Sequence, residues 1–120
     1  MQAFLGTNLE YIVIPESVCE IEDRAFRNCG NLKSVEMFDG VRSIGEEAFM
    51  SCTALRKITI PNSVKSISSY AFKDCKALRE ITIPNQVTTI SAYLFEGCTA
   101  LKEIVVDEKV TQIPAYAFKN

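Results

Sequence analysis

The chain has 120 residues, 48% of them hydrophobic and 23% charged, a balance that belongs to one folded domain rather than to a disordered segment. With 13 Lys and Arg against 15 Asp and Glu the net charge is −2, so no broad basic field exists to hold nucleic acid or an anionic membrane. Histidine is absent, which removes the commonest general base and metal ligand, and no apolar run approaches the ~18 residues that cross a membrane.

The first nine residues read as a damaged opening turn in which Ala3 and Phe4 echo an Ala-Phe pair found farther on. They lack the basic region and long apolar core of an export signal. Residues 10–14 alternate, Tyr11 and Val13 on one side and Ile12 and Ile14 on the other, which predicts a short strand with its isoleucines inward. Pro15 ends it.

From here the chain repeats every 23 residues. Phe26, Phe49, Phe72, Phe95 and Phe118 form one column, Leu9, Leu32, Leu55, Leu78 and Leu101 a second, and Ile21, Ile44, Ile67, Ile90 and Ile113 a third. Self-similarity at such a period predicts stacked units, each burying its apolar face against its neighbours. Residues 33–37, 57–60, 80–83 and 103–106 carry the same two inward apolar positions as residues 10–14, so the period stacks all five segments into one parallel sheet. A turn follows each strand, as at Asn62-Ser63, and then a shorter extended piece, Val64 to Ile67, which lines the opposite wall.

The third piece of each repeat, Ser68 to Asp74 or Gly45 to Ser51, is expected to form a short α- or 3₁₀-helical turn, with serine capping the former. Cys29, Cys52, Cys75 and Cys98 occur once per repeat, while Cys19 stands outside the column. Side chains pointing the same way in parallel do not meet at disulfide geometry, so the column is expected to be buried free thiols. No Cys-x-x-Cys pair supports zinc.

Read together, the columns spell Leu-x-x-Ile-x-Ile-Pro-x-x-Val-x-x-Ile-x-x-x-Ala-Phe-x-x-Cys, with Ile60-Pro61, Ile83-Pro84, Ala48 to Cys52 and Ala71 to Cys75 as its fullest instances. This pattern resembles the BspA-like leucine-rich repeat class over nearly the whole chain. The resemblance implies an α/β repeat fold: a right-handed leucine-rich-repeat solenoid with one parallel β-sheet and short helical turns, roughly five of 23 residues each, as a single domain over residues 1–120. It also implies a segment of a longer bacterial or protist protein, secreted or at the cell surface, serving adhesion or protein binding. Phe38 and Asp107 stand where the family has proline, and Leu94 where it has alanine.

No residue set suggests catalysis, a cofactor or a metal. Glu22-Asp23 and Glu46-Glu47 read as surface charge, and the five glycines match no phosphate loop. The outward strand columns are the candidates for partner binding: Tyr11, Ser34, Lys57, Glu80 and Glu103, then Val13, Glu36, Thr59, Thr82 and Val105. Arg56 and Arg79 flank them in a basic column with Lys33 and Lys102, which Glu36, Glu80 and Glu103 are placed to neutralise. The competing reading is a plain solvated face with weak ion pairs. Tyr70, Tyr93 and Tyr116 form a second column, either an aromatic stripe or side chains packed over the turns.

The leading expectation is a non-enzymatic protein-binding module with an unidentified protein ligand, no nucleic acid and no membrane insertion. A ligand-free spacer or engineered array is the alternative, and an enzyme or metal protein a third. Because the chain stops at Ala117-Phe118-Lys119-Asn120 without a closing strand, end-to-end self-association is also expected.

Overall fold

In a computed structural model that describes residues 9–87, 90–91 and 93–106, the repeat becomes a parallel stack. Along one wall run β1 (Tyr11–Ile14), β3 (Ser34–Met37), β5 (Lys57–Thr59), β7 (Glu80–Thr82) and β8 (Glu103–Val105); along the other run β2 (Glu20–Ile21), β4 (Ser43–Ile44) and β6 (Ser66–Ile67). Tyr11 pairs with Ser34 and Ser34 with Lys57, while Glu80 pairs with Glu103, so the register is the sequence period itself. Slipping it by one residue would turn every inward isoleucine to solvent.

The single sheet expected from the sequence is three. Strands β1-β3-β5 and β7-β8 form two ladders along one wall, with β7 lying beside β5, and β2-β4-β6 form a third on the opposite wall. The opposite wall qualifies as sheet because its backbone also bonds from repeat to repeat: Arg42 N–H donates to Cys19 O at 2.7 Å and Lys65 N–H to Arg42 O at 2.8 Å. The described residues make about four turns rather than five. Ala3, Phe4, Asp107, Val110, Ile113, Tyr116 and Phe118, together with the chain end invoked for self-association, lie outside the described residues.

The expected helical turns are absent among the described residues, and the hydrogen bonds explain why. Ala25, Arg27 and Cys29 donate locally to Glu22, Arg24 and Phe26 at 3.2 to 3.3 Å, whereas the intervening Arg24, Phe26 and Asn28 donate across the stack to Glu46, Ala48 and Met50 at 2.8 to 2.9 Å. A helix directs its interior amides to its own carbonyls. Here alternate amides serve the next repeat, which requires left-handed residues at Arg24 (φ 61°) and Asn28 (φ 64°) and again at Glu47, Ser51, Tyr70, Asp74, Tyr93 and Gly97. The third wall is thus a ladder of stacked β-turns.

Between the walls lies an apolar core with no buried polar residue among those described. Phe26, Phe49, Phe72 and Phe95 stack at centroid distances of 5.2, 5.6 and 5.9 Å, burying a large aromatic surface in every repeat. The cysteines of the column form no disulfide and are buried, and Cys19, likewise unbridged, is exposed. Cys52, Cys75 and Cys98 each donate their thiol to the carbonyl of the phenylalanine 26 residues back, at 3.0 to 3.1 Å.

Candidate interaction face

Position along a strand decides which side chains reach the outer surface. In β1 the isoleucines turn inward and leave Tyr11 and Val13, 67% and 55% exposed, on the outside. Strand β3 places Ser34 and Glu36 in the same two columns, β5 places Lys57 and Thr59, β7 places Glu80 and Thr82, and β8 places Glu103 and Val105. All are exposed except the half-buried Ser34. The two columns read from sequence are therefore present and in register within each ladder, and over the first three rungs Tyr11, Val13, Ser34, Glu36, Lys57 and Thr59 line a shallow hollow of about 370 Å³.

The flanking basic column is also formed. Arg56 N–H donates to Lys33 O at 2.9 Å and Lys102 N–H to Arg79 O at 2.8 Å, which stacks the column in two bonded pairs, one on each ladder. Its neutralisation differs from the expectation: Lys33 pairs with Glu10 of the preceding rung at 3.3 Å, and neither Glu36, Glu80 nor Glu103 forms an ion pair with the column among the described residues. The 23-residue separation of Glu10 and Lys33 was the signal for that pair.

Other charges gather on the turn ladder. Glu47 accepts from Arg24 at 2.9 Å and lies 3.5 Å from Arg27, and Glu96 lies 3.2 Å from Lys73. Hydrogen bonding first, then Coulomb attraction, raises the pKa of Arg24 beside Glu47. Tyr70 and Tyr93 stack at 5.2 Å and are half-buried, so this pair packs over the turns instead of projecting as a stripe; Tyr116 lies outside the described residues.

Burial pushes the Cys52 and Cys98 thiols up to about 12 and Cys75 well above its ordinary value, with desolvation the largest cause in each. These are poor nucleophiles and poor ligands, since both roles need the thiolate. Among the described residues no group of three His, Cys, Asp or Glu side chains gathers to hold a metal. No helix there is long and apolar enough to cross a membrane.

A family model described as BspA type leucine rich repeat region matches residues 1–120 in 6 copies. Among solved structures, the chain is similar to a T. pallidum leucine-rich repeat protein, at 30% identity and TM-score 0.87 over 92% of this chain and 54% of that one. A leucine-rich cell surface protein from Faecalibacterium prausnitzii matches at 39% identity and TM-score 0.78, over 86% of this chain and 28% of that one. The pneumococcal vaccine antigen PcpA matches at 26% and 0.87, over 93% and 28%. The chain thus spans about half the length of the first and just over a quarter of the other two. No curated protein matches it.

Proposed function

This chain belongs to the BspA-type leucine-rich repeat family, and from that premise we propose that it is a non-enzymatic protein-binding segment of a bacterial surface protein, used in adhesion. One observation carries the reading. Parallel sheets are ordinarily covered on both faces, yet the outward face of β1-β3-β5 is bare and displays Tyr11 and Val13 beside Glu36, Lys57 and Thr59. A rigid backbone holds these columns before any partner arrives, so little side-chain ordering remains to oppose binding. The surface location rests on the family and on the Faecalibacterium relative, whose description is a cell surface protein.

The test compares partner capture by three proteins: the unaltered chain, a Lys57→Ala/Glu80→Ala variant, and a Lys65→Ala variant on the opposite wall. The sheet-face pair is expected to weaken capture about tenfold or more at nearly unchanged melting, because exposed charges contribute little to stability. The Lys65 variant is expected to capture normally. Thr88, the natural companion to Lys65 in such a control, lies outside the described residues. Capture by none of the three would favour a ligand-free spacer, and equal capture by all three would put the contact away from Lys57 and Glu80.

A further inference from the structure

The basic column is electrostatically unfinished. Arg56, Arg79 and Lys102 are all exposed, lie on successive rungs, and form no ion pair among the described residues. Paired rungs of a sheet are about 4.8 Å apart, the step from Arg79 to Lys102 across the bonded β7-β8 ladder, and Arg56 continues the row from β5, which lies beside β7, so three like charges follow one another along the stack. One residue along, Glu80 and Glu103 face each other across the β7-β8 ladder, and directly opposed like charges destabilise a sheet. Two short rows of opposite sign therefore run side by side along the solenoid axis, each repelling itself.

We propose that these rows seat an α-helix of the partner protein, laid along the stack, with an acidic ridge over Arg56, Arg79 and Lys102 and a basic flank over Glu80 and Glu103. The inference rests on the protein-binding reading above and adds the partner's secondary structure and charge pattern. Spacing selects the helix. Carboxylates at i, i+3 and i+7 rise by about 4.5 and 10.5 Å, close to the 4.8 and 9.6 Å of one and two rungs, whereas same-side residues of an extended strand fall about 6.8 Å apart. The acidic row selects against a uniform polyanion, since a nucleic acid or sulfated polysaccharide covering the arginines would meet Glu80 and Glu103. Arginine also suits a carboxylate partner, because its planar fork donates two parallel hydrogen bonds to the two carboxylate oxygens.

The experiment uses the whole chain and two labelled synthetic helical peptides of identical composition. One carries Glu at i, i+3 and i+7 with Lys beside that ridge; the other has the same residues permuted around the helix. Circular dichroism matches their helicity, and fluorescence anisotropy measures binding at low and high salt. The ridged peptide is expected to bind about tenfold or more tightly than the permuted one, to weaken as salt screens the rows, and to lose about tenfold on Arg79→Glu. Lys65→Glu on the opposite wall should leave its affinity unchanged. Far-ultraviolet dichroism of the Arg79 variant checks that the fold persists, and Arg56→Ser provides a milder second variant expected to weaken binding in the same direction. Equal affinity for both peptides, equal sensitivity to Lys65→Glu, or displacement of the ridged peptide by a sulfated polysaccharide at lower charge concentration overturns the proposal. If Lys57→Ala/Glu80→Ala abolishes partner capture while neither peptide binds, the sheet face stands as the binding surface and the helical partner falls.

Discussion

Each cysteine of the column does two things that a generic small apolar residue cannot do together. It fills the corner beside phenylalanine, and at Cys52, Cys75 and Cys98 its thiol donates to the phenylalanine carbonyl of the previous repeat. That carbonyl already accepts a backbone amide, as Phe49 O does from Cys52 N–H at 3.2 Å, so Cys75→Ala removes one of two donors. The expected loss is about 1 to 2 kcal/mol in denaturant melts. Phe72, fully buried between Phe49 and Phe95, is a larger matter: Phe72→Ala opens a cavity in mid-stack and is expected to cost about 3 to 5 kcal/mol.

Thiol burial also sets a pH dependence. The pKa is raised in the folded state, from an ordinary 9.0 to about 12 at Cys52 and Cys98, so the folded protein holds protons that the unfolded chain releases. Their contribution is level below pH 9 and falls as pH rises from about 9 to about 12. Chemical denaturation across that window is expected to show a shallower decline for Cys52→Ser than for the unaltered chain. In native alkylation near neutral pH, exposed Cys19 should react first, with Cys52, Cys75 and Cys98 modified only after unfolding.

Among elements, the strands were the most legible part of the sequence and the turns the least. A period-two alternation repeated at fixed spacing leaves one register that buries Ile14, Val35, Ile58 and Ile81 together, and both columns of the outer face follow from it. The third segment of each repeat misled because Ala-Phe-x-x-Cys also fits a helical period, while its actual bonds run to the next repeat and are invisible within any one segment. A partial signal was present: in the column of Asn28, Ser51, Asp74 and Gly97, all but the serine are residue types that tolerate or favour left-handed backbone. No such signal marks Arg24, Glu47, Tyr70 and Tyr93, whose positive φ is imposed by the stack. The charge pairing of the sheet face was equally hidden, because side-chain reach decides that Lys33 meets Glu10 and leaves Arg56 unpaired.

The turn ladder makes a separate prediction at Gly45. A Cβ there would stand 2.6 Å from Asp23 N and 2.7 Å from Glu22 C, both backbone atoms of the preceding repeat that cannot move without parting the stack. Gly45→Ala is expected to cost about 1 to 3 kcal/mol by overpacking, measured by urea denaturation. Gly30, where the nearest foreign atom is a side-chain oxygen at 3.8 Å, should accept alanine with a much smaller change.

For the whole molecule, stability is a sum of repeats and the interfaces between them. Deleting residues 57–79 joins Arg56 to Glu80 and preserves every column, so the shortened protein is expected to unfold cooperatively at a lower temperature. Deleting one residue fewer breaks the register and should abolish that transition. The same quasi-linear construction keeps the outer face aligned and open, as the assignment of partner binding to that face requires. The most direct measurement of that assignment is site-specific photocrosslinking, with a photoreactive phenylalanine placed singly at Thr59 and Thr82 on the open face and at Arg42 and Lys65 on the opposite wall, all exposed positions. Covalent adducts with the captured partner from Thr59 and Thr82, and none from Arg42 or Lys65, are the predicted result; adducts from Arg42 and Lys65 alone would contradict it.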